Sequence, residues 1–378
     1  MSSSQQLPTT CRALVCTELG KPLTVEIRPV PEVLPGTVLI QVLSTTIEAG
    51  YKILLSGGMP ELTIPTPMIP GSRAVGRIAA IGPDTTTLKV GQLVICEPFV
   101  RGRDNTDVQI LWGLGVFGNN PSAIKLAENV WRDGMSAEYA RAPLENTHAL
   151  DEKVLLGSPA HGGLGYEIAD LTYMARFAVP YGGFRGIDLK AGETVIVAPA
   201  TGAYSSAAVE VAIAMGAKVI AVGRNLEKLK KVGAINPRVR IYELKNDPAI
   251  DIPALRAFGS IDAYMDLSPA IANDSTHVGS CMMALKPYGR VSLMGVIMKD
   301  INIPYGMAVL NNLTIQGKYM YEREDVKLMI KMVEAGVLKL GKEAGHEVVG
   351  RYKMEEFEEG LNTAMMNQSA GRFVVFEP

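Results

Sequence analysis

The stretch that most restricts the fold runs from residue 194 to residue 222. Thr194-Val195-Ile196-Val197-Ala198 is apolar without alternation, the pattern of a strand buried on both faces. It leads into Pro199-Ala200-Thr201-Gly202-Ala203-Tyr204-Ser205-Ser206 and then a helix of small residues over 205–215. Residues 218–222, 261–267 and 289–295 are further strands of the same kind. Strands buried on both faces and joined by helices predict an α/β fold with a doubly wound parallel sheet and right-handed connections.

The turn after the first of these strands predicts a ligand. A strand, a tight turn and a helix aim backbone N–H groups and the positive end of a helix dipole at one point, which suits a pyrophosphate. Thr201, Gly202, Ala203, Tyr204 and Ser205 are the candidate contacts. The glycine pattern is incomplete, because Ser205 stands where a third glycine is usual, and its hydroxyl is a candidate phosphate donor. Tyr204 is bulky enough to fill part of that space, so a turn without a ligand is the competing reading. About 20 residues further on, an NAD-binding sheet carries a carboxylate for the ribose. This chain has Val222-Gly223-Arg224-Asn225 instead. Arg224 offers a fork for a 2′-phosphate and Lys228 a second positive charge, which favours NADP(H) over NAD(H). A solvated arginine at a helix start is the alternative.

With 378 residues the chain exceeds one compact core, and two domains are expected. The first third reads as β: runs at 13–15, 24–27, 38–43, 76–81 and 92–95 alternate with Pro/Gly turns at 31–36 and 82–84, predicting a small irregular barrel. Residues 98–134 break the rhythm with Trp112, Phe117 and Trp131, and read either as a pocket wall or as a surface insertion packed by its own aromatics. The tail predicts helices near 323–334 and 355–366 and a closing strand at 372–376. A net charge of −2 supplies no basic field for nucleic acid or an acidic membrane. No run of 18 apolar residues suggests a membrane span. Residues 1–8 lack the charged and apolar segments of a secretory signal. Four scattered cysteines, with no CxxC pair, read as buried thiols of a cytoplasmic protein.

Taken in order, Tyr51-Lys52-Ile53-Leu54-Leu55-Ser56-Gly57, Pro70-Gly71-Ser72-Arg73-Ala74-Val75-Gly76, Gly91-Gln92-Leu93-Val94, Leu189-Lys190-Ala191-Gly192-Glu193-Thr194-Val195, Gly216-Ala217-Lys218-Val219-Ile220-Ala221, Gly289-Arg290-Val291-Ser292-Leu293-Met294-Gly295 and Gly371-Arg372-Phe373-Val374-Val375 resemble the medium-chain dehydrogenase/reductase superfamily. The likeness covers nearly the whole chain. It implies a GroES-like β-barrel domain over 1–170 and 313–378 and a Rossmann NADP(H)-binding domain over 171–312, with the active site in the cleft between them. It also implies a homodimer paired through Rossmann edge strands near 301–304 and 313–316, with Met307 and Leu310 buried between.

The departures from that family concern its metal. Zinc-dependent members have Pro-Gly-His-Glu where this chain has Pro70-Gly71-Ser72-Arg73. Their first cysteine ligand aligns with Glu48 and their third ligand falls near Ile168. A catalytic zinc takes three protein ligands from His, Cys, Asp or Glu, so the resemblance implies a zinc-independent member, and no metal site is expected. A buried arginine needs a partner, and Glu48 is the candidate for Arg73.

Without a Lewis acid, developing negative charge must be met by hydrogen bonds or an arginine. Zinc-free relatives reduce activated C=C bonds or quinones, and this is the favoured reaction, together with reduction of an activated carbonyl. An alcohol dehydrogenase or ketone reductase is the alternative, and a redox-neutral or binding role on the same fold is a third. Tyr51 is the first candidate proton donor, with Lys52 beside it to lower its pKa, against a wall residue with its hydroxyl in water. Tyr173 is a further candidate, and His161 is weighed against a structural histidine. Glu48, Arg73, Trp112, Phe117, Tyr166 and the segment 181–184 are expected around a small, apolar substrate. Met294 is implied at the nicotinamide and Arg372 at the pyrophosphate or nicotinamide end. His277 and His346 read as helix or surface positions.

Overall fold

The computed structural model describes residues 7–378. Most of the segment weighed for a secretory signal, residues 1–6, lies outside the described residues. No helix among the described residues is long and apolar enough to cross a membrane. The chain forms two compact units, one of Met1–Ala175, Glu347–Gln368 and Phe373–Pro378, the other of Arg176–His346 and Ser369–Arg372.

The first unit is built on Thr37–Ile47, a long strand rich in β-branched residues and buried along nearly its whole length. It pairs antiparallel with Ala74–Ile81, Tyr139–Pro143 and Arg372–Phe376, and the sheet continues through Leu93–Cys96 to Thr147–Ala149. Register shifts between Leu39 and Ile40 and between Val42 and Ser44 bend the strand. The strands expected at 13–15 and 24–27 form as an antiparallel pair, Thr10–Val15 with Thr24–Pro29.

Residues 98–134 fold against this sheet rather than forming a pocket wall. Asn120 caps the helix Pro121–Asn129 by accepting from the Ser122 and Ala123 amides. Trp112 is fully buried among Val38, Val94, Trp131 and Met135, meets Trp131 edge-on at 5.9 Å, and donates its indole N–H to the Asp133 carbonyl at 2.7 Å. The expectation that Trp112 faces substrate is therefore corrected: its whole side chain is committed to the core. Phe117, in the short strand paired with Leu62–Thr63, remains exposed.

The second unit is a six-stranded parallel sheet in the order Val239–Glu243, Lys218–Gly223, Thr194–Ala198, Ala263–Asp266, Arg290–Leu293, Thr314–Gly317. The chain reverses direction across the sheet between Thr194–Ala198 and Ala263–Asp266. In sheets of this class the crevice at such a reversal, outside the carboxyl ends, is where ligands sit. The expected boundary at 312 falls one strand early. Thr314–Gly317 pairs with Arg290–Leu293, and the unit runs on through the helix Arg323–Glu334 to His346.

Two further expectations change. Tyr181–Phe184 lies inside the helix Met174–Gly186, where Gly182 packs against Tyr321 and Gly183 against Met294 and Met265, so this segment is core. Residues 301–304 form no strand, and beyond them the helix Tyr305–Leu310 leaves Leu310 77% exposed in the single chain. His277 and His346 are buried, not superficial; His346 meets Glu210 at 2.7 Å.

Trp112→Ala should destabilise the protein by about 3–5 kcal/mol, the usual cost of emptying an aromatic core position. Equilibrium denaturation checks this, and a change under about 1 kcal/mol would return Trp112 to the surface.

Candidate active site

In the first unit the site begins with the short helix Gly50–Leu55. Its apolar side chains Tyr51, Leu54 and Leu55 fall on one face, which turns Tyr51 inward to 6% exposure. Lys52 lies on the opposite face and bonds Asn362 Oδ1 at 2.5 Å. Ser72 and Arg73 follow Gly71, whose φ of +110° only glycine adopts readily. Ser72 is fully buried and Arg73 is 8% exposed.

These residues join at two oxygens. Tyr51 Oη lies 2.9 Å from Ser72 Oγ and accepts from the Ser72 amide at 3.2 Å. Arg73 donates from Nε to Ser72 Oγ at 3.3 Å, and its carbonyl accepts from the Thr45 hydroxyl. Burial raises the Tyr51 pKa; the Arg73 charge and the Ser72 hydrogen bonds oppose that rise, while Glu48 adds to it. The cation acting on Tyr51 is thus Arg73, in place of the expected Lys52, which faces away. Sequence reading missed Ser72 as the partner of Tyr51, because it registered there only as a lost metal ligand.

The donor set does not fit the family's zinc. Its groups at this point are hydroxyls, a guanidinium and the lone Glu48 carboxylate whose charge reaches Tyr51, and the guanidinium brings positive charge to the place of a cation. Among the described residues no group of three or more His, Cys, Asp or Glu is placed to hold a metal. Tyr173 is fully buried with its ring edge-on to Phe373 at 5.2 Å. Tyr166 is partly exposed just before the helix Ile168–Leu171, and His161 is exposed.

In the second unit, Thr194–Ala198 leads through Thr201 and Gly202 into the helix Ala203–Ala214. Ser205 is buried, and its hydroxyl is bonded to the Gly202 amide at 3.0 Å. Ser205 therefore caps its own helix and is not the phosphate donor expected. Thr201, Ala203 and Tyr204 are partly exposed residues at the helix start, where first-turn N–H groups lack intrahelical partners. Gly223, ending the second strand, lies beside Thr201: a Cβ there would sit 3.4 Å from Thr201 Cγ2. Arg224 follows, exposed and without a hydrogen bond or ion pair to another described residue. Asn225 caps the helix Leu226–Gly233 through the Lys228 amide, leaving the Lys228 side chain exposed one turn on. A helix start of this kind, with two exposed cations at the next strand end, fits the phosphates of a dinucleotide. Met294 is partly buried, its amide bonded to the Asp266 carbonyl at 3.0 Å. Arg372 is partly buried, and its carbonyl accepts from Arg176 at 2.9 Å.

Residues 34–152 match the alcohol dehydrogenase GroES-like domain, and residues 205–335 match the zinc-binding dehydrogenase domain. Together the two stretches take in well over half of the chain. The chain belongs to the medium-chain dehydrogenase/reductase superfamily. Within it, L-threonine 3-dehydrogenase of Ruegeria pomeroyi is 25% identical over 359 residues, spanning 92% of this chain and 94% of that protein. The probable D-xylulose reductase A of Aspergillus clavatus is 28% identical over 322 residues, spanning 82% and 83%. Among solved structures, crotonyl-CoA carboxylase/reductase AntE in complex with NADP shares the fold, with a TM-score of 0.73 at 15% identity over 98% of this chain and 95% of that one. The GroES-like and Rossmann-like α/β architecture is that of the family, and the chain is an oxidoreductase of this superfamily.

The Tyr51 environment sets an alkaline limit. Its contribution to stability is fully present below about pH 10, the ordinary phenol value, and is lost as pH rises from there through the higher folded value. Wild type should therefore lose stability more steeply than Tyr51→Phe between about pH 9 and about pH 11; parallel denaturation curves would refute this.

Proposed function

We propose that the chain is a zinc-independent, NADPH-dependent reductase acting on an activated C=C bond, quinone or carbonyl of a small molecule. The observation that carries this is the hydrogen-bond count around Ser72. The Ser72 amide donates to Tyr51 Oη and Arg73 Nε donates to Ser72 Oγ, while a single bond joins the two hydroxyls. Whichever hydroxyl donates in that bond, the other keeps a proton with no protein acceptor. A buried O–H without an acceptor is costly, and a substrate oxygen completes the set.

Bound NADPH supplies the hydride. The chain supplies the proton and the charge that steadies the developing oxyanion: Tyr51 gives its hydroxyl proton, the Ser72 hydroxyl turns its hydrogen bond onto the phenolate that forms, and the Arg73 charge favours that phenolate. Glu48 is the proposed partner that keeps the Arg73 charge compensated. With Trp112 in the core, the expectation of an apolar substrate loses its largest aromatic support.

Exposed Arg224 and Lys228, with no carboxylate at the end of the second strand, support the phosphorylated cofactor. A ketone reductase or alcohol dehydrogenase is the second reading, favoured by the names of the threonine dehydrogenase and xylulose reductase relatives.

Arg224→Gln should weaken NADPH binding by about 10- to 100-fold, the loss of a charge-assisted pair, with NADH binding unchanged. Cofactor fluorescence titration measures both, and equal losses for the two would remove Arg224 from the 2′-phosphate. Tyr51→Phe should lower kcat by about 10²- to 10⁴-fold on an enone or quinone. The purified protein should hold far less than one equivalent of zinc and keep its turnover after chelation. Stoichiometric zinc with chelator-sensitive turnover would favour the second reading.

A further inference from the structure

A polar chain in the second unit, buried from Asp266 to His277 and open to solvent at Ser275 and Asn246, links three of the loops at the carboxyl ends of the parallel strands. Asp266 ends the strand Ala263–Asp266, next to the reversal of the sheet. Its Oδ1 accepts from Tyr264 at 3.1 Å and from Ser268 at 2.5 Å, and lies 3.4 Å from His277 Nε2. Ser268 Oγ is 2.7 Å from that same Nε2, while His277 Nδ1 is 2.7 Å from Ser275 Oγ. Ser275 in turn bonds Asn246 Oδ1 at 3.0 Å. Asp266, Ser268 and His277 are all at or below 3% exposure.

The protons in this chain can be assigned. The Thr276 backbone N–H points at Asn246 Oδ1 at 2.9 Å, so that atom is the amide oxygen and only accepts. Ser275 must spend its one hydroxyl proton on it, so the bond to Nδ1 is donated by the ring. At the other end, the Asp266 carboxylate only accepts, so Ser268 spends its proton there and Nε2 also donates. A histidine that donates from both nitrogens is an imidazolium, here facing a buried carboxylate.

The chain also sets backbone. The Asp266 carbonyl receives the Met294 amide at 3.0 Å and the Ser268 carbonyl receives the Val296 amide at 2.8 Å. A Cβ on Gly295 would lie 2.5 Å from Asp266 Oδ2. The network thus joins the loop at Asn246, the turn at 267–269 and the turn at 294–296.

We propose that His277 is a positioning residue for the dinucleotide crevice, its imidazolium charge holding these strand-end turns in the arrangement that binds cofactor. This rests on the NADPH reading above. Loss of one ring proton leaves either the Ser268 or the Ser275 contact without a donor and leaves Asp266 uncompensated. The other ionisable groups around it are neutral or anionic. Tyr264 lies on the strand. Cys281, on His277's own helix, has its thiol pushed up by burial and by Asp266. Asp251, on the helix Pro248–Arg256, is already bonded by Tyr242 at 2.6 Å and by the Lys245 amide at 2.9 Å. The 294–298 turn brings no ionisable side chain, and Lys299 just beyond it is exposed and paired with exposed Asp274 at 2.9 Å, outside the network. No second cation therefore replaces His277 within the network.

The test uses the full chain in two arms. In the free protein, 15N NMR at neutral pH should show both His277 nitrogens protonated, and hydrogen exchange at Met294 and Val296 should speed up, beyond its intrinsic pH dependence, as that signal titrates. A neutral tautomer, or exchange indifferent to the titration, overturns the proposal whatever the protein binds. In the second arm, the NADPH Kd should rise by up to about tenfold per pH unit above the titration, as one linked proton requires. His277→Gln should bind more weakly at low pH with a flat profile, and adding Asp266→Asn should restore part of the affinity by removing the uncompensated charge. Parallel pH profiles in wild type and His277→Gln overturn the coupling. Failure of both NADPH and NADH to bind at any pH rejects the NADPH reading and, with it, the coupling to cofactor, while the first arm still decides the state of His277.

Discussion

Much of the first unit depends on the close approach of three glycines. The Gly71 amide donates to the Gly113 carbonyl, and the Gly71 carbonyl accepts from the Met135 amide. A Cβ on Gly113 or Gly134 would lie 2.2 or 2.0 Å from the Gly71 carbonyl oxygen, so no larger residue permits this contact. The contact fastens both ends of the 112–134 segment behind Pro70–Ser72. It thereby fixes the direction in which Ser72 and Arg73 leave the turn. Trp112 then seals the far side as core.

From that turn follows the electrostatic character of the site. A buried phenol, a buried serine and a nearly buried guanidinium share hydrogen bonds in a region of low dielectric, where each charge acts strongly on its neighbours. Burial alone would hold the Tyr51 proton too tightly for an acid; the Arg73 charge works against that. The arrangement is coherent chemistry for giving a proton to oxygen, and poor chemistry for ligating a divalent ion. In the second unit the corresponding constraint is the parallel sheet itself. It brings the carboxyl ends of six strands to one edge, so that residues as distant as Thr201, Gly223, Asp266 and Gly295 all lie along it.

The parallel sheet was legible because runs such as Thr194–Ala198 are short, rich in β-branched residues and bounded by Gly192 and Pro199, which separates them from buried helix segments. The barrel strands were legible from β-branched runs between Pro/Gly turns. The domain boundary was misread at 313 because Thr314–Gly317, an edge strand, is only partly buried and lacks the continuous apolar run of its neighbours. Lys52 was misjudged for a related reason: adjacent in sequence to Tyr51, it lies on the opposite face of a helix, and adjacency along the chain carries no information about that.

Sequence alone determined the fold class, the position of the strand–turn–helix unit at 194–214, Arg224 where a ribose-binding carboxylate is usual, and the absence of zinc-ligand residue types at 72 and 73. These are properties of residue identity and spacing, which local patterns record. Tertiary structure decided that Ser205 caps its own helix, that Trp112 is core, that Ser72 joins Tyr51 to Arg73, and that a buried His277 lies in a hydrogen-bonded chain from Asn246 to Asp266. Each of those depends on hydrogen-bond partners or packing neighbours brought together by the folded backbone, several of them far apart in sequence, and a hydroxyl or an imidazole acquires its role only from the atoms it faces.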